Sequence, residues 1–60
     1  MKVQDLNTGD LIEWRGQDRL VIEHVNLLAT GDVEIMGEFI DKSGYAVGTY
    51  AYDTEIVVLD

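Results

Sequence analysis

The chain has 60 residues, 47% of them apolar, no cysteine and no proline, and twelve Asp and Glu against four Lys and Arg give it a formal net charge of −8. This length supports one domain near the lower limit for a core that closes without disulfides or metal, and the missing cysteines exclude disulfide frameworks, thiolate chemistry and the usual Cys/His zinc sites. There is no low-complexity tract or run of like charge, no stretch approaching the roughly 20 apolar residues of a bilayer span, and no signal-type apolar stretch after Met1-Lys2-Val3-Gln4-Asp5, so an ordered, soluble, cytoplasmic protein without a membrane partner is expected.

Apolar and polar residues alternate at period two through segments rich in Val, Ile, Tyr, Phe, Trp and Thr, which predicts an all-β chain. Residues 2–6 read as a short strand or extended arm anchored by Val3 and Leu6, and Asn7-Thr8-Gly9-Asp10 as a turn. In the strand at 11–15, Ile12 and Trp14 face the core, with Glu13 and Arg15 opposite. Gly16-Gln17-Asp18 turns the chain into a long strand at 19–28, where Leu20 and Ile22 share the inner face and Glu23 points away. At His24 the alternation slips. A β-bulge there would return Val25 and Leu27 to the core and bend the strand strongly.

Ala29-Thr30-Gly31-Asp32 is the next turn, followed by a strand at 33–40 with Val33, Ile35 and Phe39 inward and Glu34 and Glu38 outward. Gly37 leaves room for a close neighbour or for a sharp coil of the strand. Asp41-Lys42-Ser43-Gly44 makes a hairpin turn into a strand at 45–52, which puts Tyr45 and Val47 on one face and Tyr50 and Tyr52 on the other. Asp53-Thr54 connects to a last strand at 55–59, with Ile56 and Val58 inward. Five strands fill residues 1–60 and leave no linker.

The run "DLNTGDLIEWRGQDRLVIEHV", then two strands across a Lys-Ser-Gly turn, then "YDTEIVVL", resembles small SH3-like barrels. Similar openings occur in the first domain of translation elongation factor P and in short barrel proteins of bacteria and their phages. The resemblance implies a five-stranded, strongly bent, partly open antiparallel barrel whose first and last strands meet. Folds of this kind mostly bind peptides, nucleic acid or other subunits. The elongation-factor likeness implies a place near nucleic acid, but Lys2, Arg15, Arg19 and Lys42 do not cluster in sequence, although Arg15 and Arg19 can be neighbours across the Gly16 turn. No functional residue is carried over.

Catalytic constellations are not apparent. His24 is the one histidine and Ser43 the one serine, and the glycines follow neither dinucleotide nor P-loop spacing. His24 reads as a partly buried ring beside a bulge or as a solvated residue, against a pH-sensing or ligand role. The carboxylate pairs of Asp32-Val33-Glu34 and Asp53-Thr54-Glu55 suit weak divalent-ion binding, but pairs of this spacing are ordinary on solvated strands and lack the oxygen loop of a calcium site. No enzyme, cofactor or metal is expected.

Trp14, Tyr45, Tyr50 and Tyr52 are the candidate protein-binding residues, because aromatic rings with a polar tip anchor interfaces; alternatively two of the four complete a small core. The acidity repels polyanions and speeds encounter with basic partners, or serves only to keep a small apolar-rich protein soluble. The sequence therefore points to a non-enzymatic interaction module that binds another protein or itself, with no direct nucleic-acid binding. The alternative is an acidic mimic of nucleic acid that occupies a DNA- or RNA-binding protein.

Overall fold

The computed structural model of the protein describes residues 1–59. Four strands, β1 (Leu11–Trp14), β2 (Asp18–Leu27), β3 (Val33–Phe39) and β4 (Tyr45–Tyr50), form one open antiparallel sheet in the order β1-β2-β3-β4. The opening segment is a 3₁₀ turn, Val3–Asp5, and both of its expected anchors, Val3 and Leu6, are buried.

Alternation carries the strands onto a common core. Ile12 and Trp14 from β1, Leu20 and Ile22 from β2, and Val33 and Ile35 from β3 are buried with Val3 and Leu6. Val25, Phe39, Ala46, Tyr50, Ile56 and Val58 pack around them. Burying each large aliphatic side chain contributes roughly 1.5–3 kcal/mol. In a chain this short every one of these positions therefore matters.

The β-bulge falls where the alternation slips. Ile22 pairs with Gly37 and His24 with Met36, so Glu23 is the extra residue on β2. The loop before β1 satisfies the irregular backbone: the Gly9 N–H donates to the Ile22 carbonyl (2.8 Å), the Ile22 N–H to the Asp10 carbonyl (2.9 Å), and the Thr8 hydroxyl to the Glu23 carbonyl (3.2 Å). Beyond the bulge His24 is exposed and Val25 packs against the core. Leu27 does not return to the core. It is 76% exposed although its register partner Val33 is buried, because an open groove, lined by Leu27 with Gln4, Val25 and Val33, leaves its side chain uncovered.

Gly37 is required by a close approach. A Cβ there would overlap the Val21 carbonyl oxygen and lie 2.7 Å from Leu20 Cγ. The β1–β2 turn has a different demand, since Arg15 and Gly16 both have positive φ (54° and 76°) and the Gln17 N–H closes the turn on the Trp14 carbonyl at 3.3 Å. This is the pattern of a type I′ turn, which favours Asn-Gly.

The fifth strand expected at 55–59 is reduced to two isolated bridges, Lys2 with Glu55 and Ile12 with Val58. The segment divides its pairing between two partners, so neither ladder grows into a strand. The Ile56 N–H donates to the Met1 carbonyl (2.8 Å) and the Val3 N–H to the Thr54 carbonyl (2.8 Å); farther on, the Glu13 N–H donates to the Val57 carbonyl (3.0 Å) and the Leu59 N–H to the Leu11 carbonyl (2.8 Å). The last segment thereby covers the outer edge of β1. The edge of β4 is left open.

Candidate functional site

The four aromatic candidates separate into two pairs. Trp14 is only 5% exposed, and half-buried Tyr50 meets it edge to face with ring centroids 6.3 Å apart. Gly48 makes the pair possible, because a Cβ there would lie 2.8 Å from the Trp14 ring and 3.0 Å from that of Tyr50. These two residues complete the core. Tyr45 (63% exposed) and Tyr52 (55% exposed) remain at the surface. β4 ends at Tyr50, and Tyr52 sits in the turn that follows it.

Tyr45 stands on the outer sheet face with company that sequence reading did not assemble. Directly opposite β4 residues are Glu38 against Tyr45, Met36 against Val47, and Glu34 against Thr49. Opposed residues in an antiparallel pair share a face. The outer face beside β4 is thus an apolar row, Met36 and Val47, between two rows that each carry a carboxylate. Val47 is 57% exposed.

The backbone of β4 adds a second element. The Phe39 N–H donates to the Gly44 carbonyl at 3.1 Å, one step beyond Glu38–Tyr45, the last pair of the β3–β4 register. Hydrogen-bonded and non-hydrogen-bonded pairs alternate along an antiparallel ladder, so Ala46, Gly48 and Tyr50 aim their N–H and C=O groups at β3. Those of Tyr45, Val47 and Thr49 point to the open edge, and among the described residues nothing outside β3 bonds to them. A strand edge of this kind is a template for pairing, which proteins usually blunt with charge, proline or a covering segment. β4, Tyr-Ala-Val-Gly-Thr-Tyr, has none of these, although each of the other three strands carries at least one charged residue.

Electrostatics around the edge is acidic. Among the described residues, three of the four side-chain cations pair with carboxylates: Lys2 with Glu55 (3.9 Å), Arg19 with Asp41 (2.7 Å) and Lys42 with Asp18 (3.3 Å). Arg15 lies over the Trp14 ring, 5.6 Å from its centroid. Arg19 and Arg15 are thus engaged by different partners, Asp41 and the Trp14 ring. Glu34 and Glu38 take part in no ion pair or side-chain hydrogen bond among the described residues. Arg19 grips Asp41 through two nitrogens, at 3.0 and 2.7 Å, and its N–H donors hold that carboxyl below the usual carboxylate range. The same fork ties the turn that starts β4 to β2, where the Ile40 N–H also donates to the Arg19 carbonyl (3.2 Å).

Two other features are less built. An open groove of about 360 Å³ is lined by Gln4, Val25, Leu27 and Val33, with a single polar side chain on its wall. Among the described residues no three His, Cys, Asp or Glu side chains gather where a metal ion would sit, and no helix is long and apolar enough to cross a membrane. Comparison of the chain with protein-family models, curated proteins and solved structures gave no match.

Proposed function

We propose that the protein is a non-enzymatic protein-interaction module, acting in the cytoplasm, that receives an extended segment of a partner along the open edge of β4. Strand addition draws affinity from main-chain hydrogen bonds and specificity from alternate side chains. The carrying observation is the uncovered, charge-free edge at Tyr45, Val47 and Thr49, with Tyr45 and Val47 exposed beside it. In this reading the architecture is an SH3-like partial barrel, and the last segment, antiparallel beside β1, stands in for its fifth strand. That likeness is supported by the bridges Ile12–Val58 and Lys2–Glu55, which bring the two ends of the chain together.

The test is retention of a copurifying protein by the parent, Val47→Lys and a Glu34→Gln, Glu38→Gln double variant. Val47 points outward, so Lys is accommodated by the fold and places a charge on the edge. Loss of the retained protein with Val47→Lys at unchanged melting temperature supports the reading. Retention by Val47→Lys together with loss in the double carboxylate variant would instead favour an acidic nucleic-acid mimic.

A further inference from the structure

We propose that the occupant of the β4 edge is a basic extended segment in which two cationic side chains flank an apolar one at alternate positions. This rests on the strand-addition reading above and names its partner chemistry. A strand added beyond β4 would place three successive outward side chains against the rows Tyr45–Glu38, Val47–Met36 and Thr49–Glu34. Adjacent strands lie about 4.8 Å apart, so the Glu34 and Glu38 backbones would be roughly 10 Å from the added strand. A Lys or Arg stem spans that gap over the intervening residue and brings its charge to a carboxylate that has no other partner among the described residues. At the Glu38 row the cation would also cross the exposed Tyr45 ring, a favourable face for it. The central row offers only Met36 and Val47, which select an apolar side chain.

Charge decides against the other occupant that the edge would accept. A second copy would bring together two chains of formal net charge −8, and β4 has no cation to offset the meeting of two Glu34–Glu38 faces. A basic segment is attracted by the same field, with a faster on-rate at low salt.

The experiment titrates ¹⁵N-labelled protein with three heptapeptides, TKTVTKT, TETVTET and TQTVTQT, up to millimolar concentration, and follows amide shifts and hydrogen exchange along β4. The expected result is that the lysine peptide binds tightest and slows exchange at Tyr45, Val47 and Thr49. Two exposed ion pairs predict a roughly threefold to tenfold loss of its affinity in the Glu34→Gln, Glu38→Gln variant, which should still fold because both side chains point outward. Val47→Pro, which removes an edge donor without touching the β3 ladder, should abolish binding. Equal binding of all three peptides with the same protection overturns the basic partner and leaves strand addition standing. Lysine-peptide binding that leaves the edge amides unprotected overturns both. Absence of lysine-peptide binding overturns the proposal, and the Val47→Lys retention experiment then decides independently whether the edge is used.

Discussion

Trp14 and Tyr50 meet at right angles, their ring planes 86° apart, over the bare backbone of Gly48. The contact joins the first strand to the last and turns Tyr50 from a surface anchor into a structural residue. Tyr50→Ala should therefore lower stability by roughly 2–4 kcal/mol, combining the lost aromatic pair, about 0.5–1.5 kcal/mol, with lost burial. Tyr45→Ala and Tyr52→Ala, which expose no core, should stay within about 0.5 kcal/mol of the parent in urea melts. A Tyr50 variant as stable as the parent would mean that the Trp14 contact is not formed in solution.

The middle of the sheet tolerates neither loss nor gain of volume. Ile22→Ala and Ile35→Ala remove fully buried side chains and should each cost about 2–5 kcal/mol. Gly37→Ala meets the Val21 carbonyl, which cannot move aside as a flexible side chain would, and should cost at least about 1–3 kcal/mol. Thermal melts of the three variants check these values. A parent-like melt for Gly37→Ala would show that β2 and β3 lie farther apart than the structure has them.

Arg15 occupies a left-handed position that suits Asn or Gly better. The strain for such a residue is about 1–2 kcal/mol, partly offset by stacking on Trp14, worth about 0.5–1 kcal/mol at an exposed site. Arg15→Asn should consequently raise stability by roughly 0.5–1 kcal/mol, read as a higher urea midpoint at unchanged slope. A lower midpoint would show that the cation–ring contact dominates.

The inner faces were legible because strand alternation is strict: Ile12, Trp14, Leu20, Ile22, Val33 and Ile35 are all buried as read. The bulge was legible as a break in that alternation at His24, and Gly37 as a gap in an otherwise full face. Leu27 was not, because alternation gives a residue's face but not whether anything lies across it. The last segment was overread as a strand because its apolar pattern is blind to its split pairing with the chain start and β1. For the site, parity placed Tyr45 with Val47 on one face and Tyr50 with Tyr52 on the other, but did not give which face is exposed. The meaning of Tyr45 and Val47 depended on which edge of the sheet stays open, a property of topology. The charge-free run from Tyr45 to Tyr50 was the available signal.

Asp41 supplies a pH test of the turn that anchors β4. Hydrogen bonding from Arg19 is the largest influence and lowers its pKa, desolvation comes next and acts the other way, and the ion-pair attraction, the least of the three, lowers it further. A carboxyl whose folded pKa lies below the unfolded value of about 3.9 adds stability above that value, and the gain is lost as pH falls through the folded pKa. In a carboxyl-carbon NMR titration Asp41 should have its midpoint below the usual aspartate range. Arg19→Gln should bring it upward and flatten the fall in stability on acidification. Identical midpoints in the two proteins would place the Arg19 fork outside the solution structure.

Amide hydrogen exchange along β4 in the free protein tests the open edge most directly. Alternation of ladder bonds predicts slow exchange at Ala46, Gly48 and Tyr50 and fast exchange at Tyr45, Val47 and Thr49, independent of protein concentration. Slow exchange at all six positions would show that the edge is already covered, and would contradict the assignment of β4 as the binding strand.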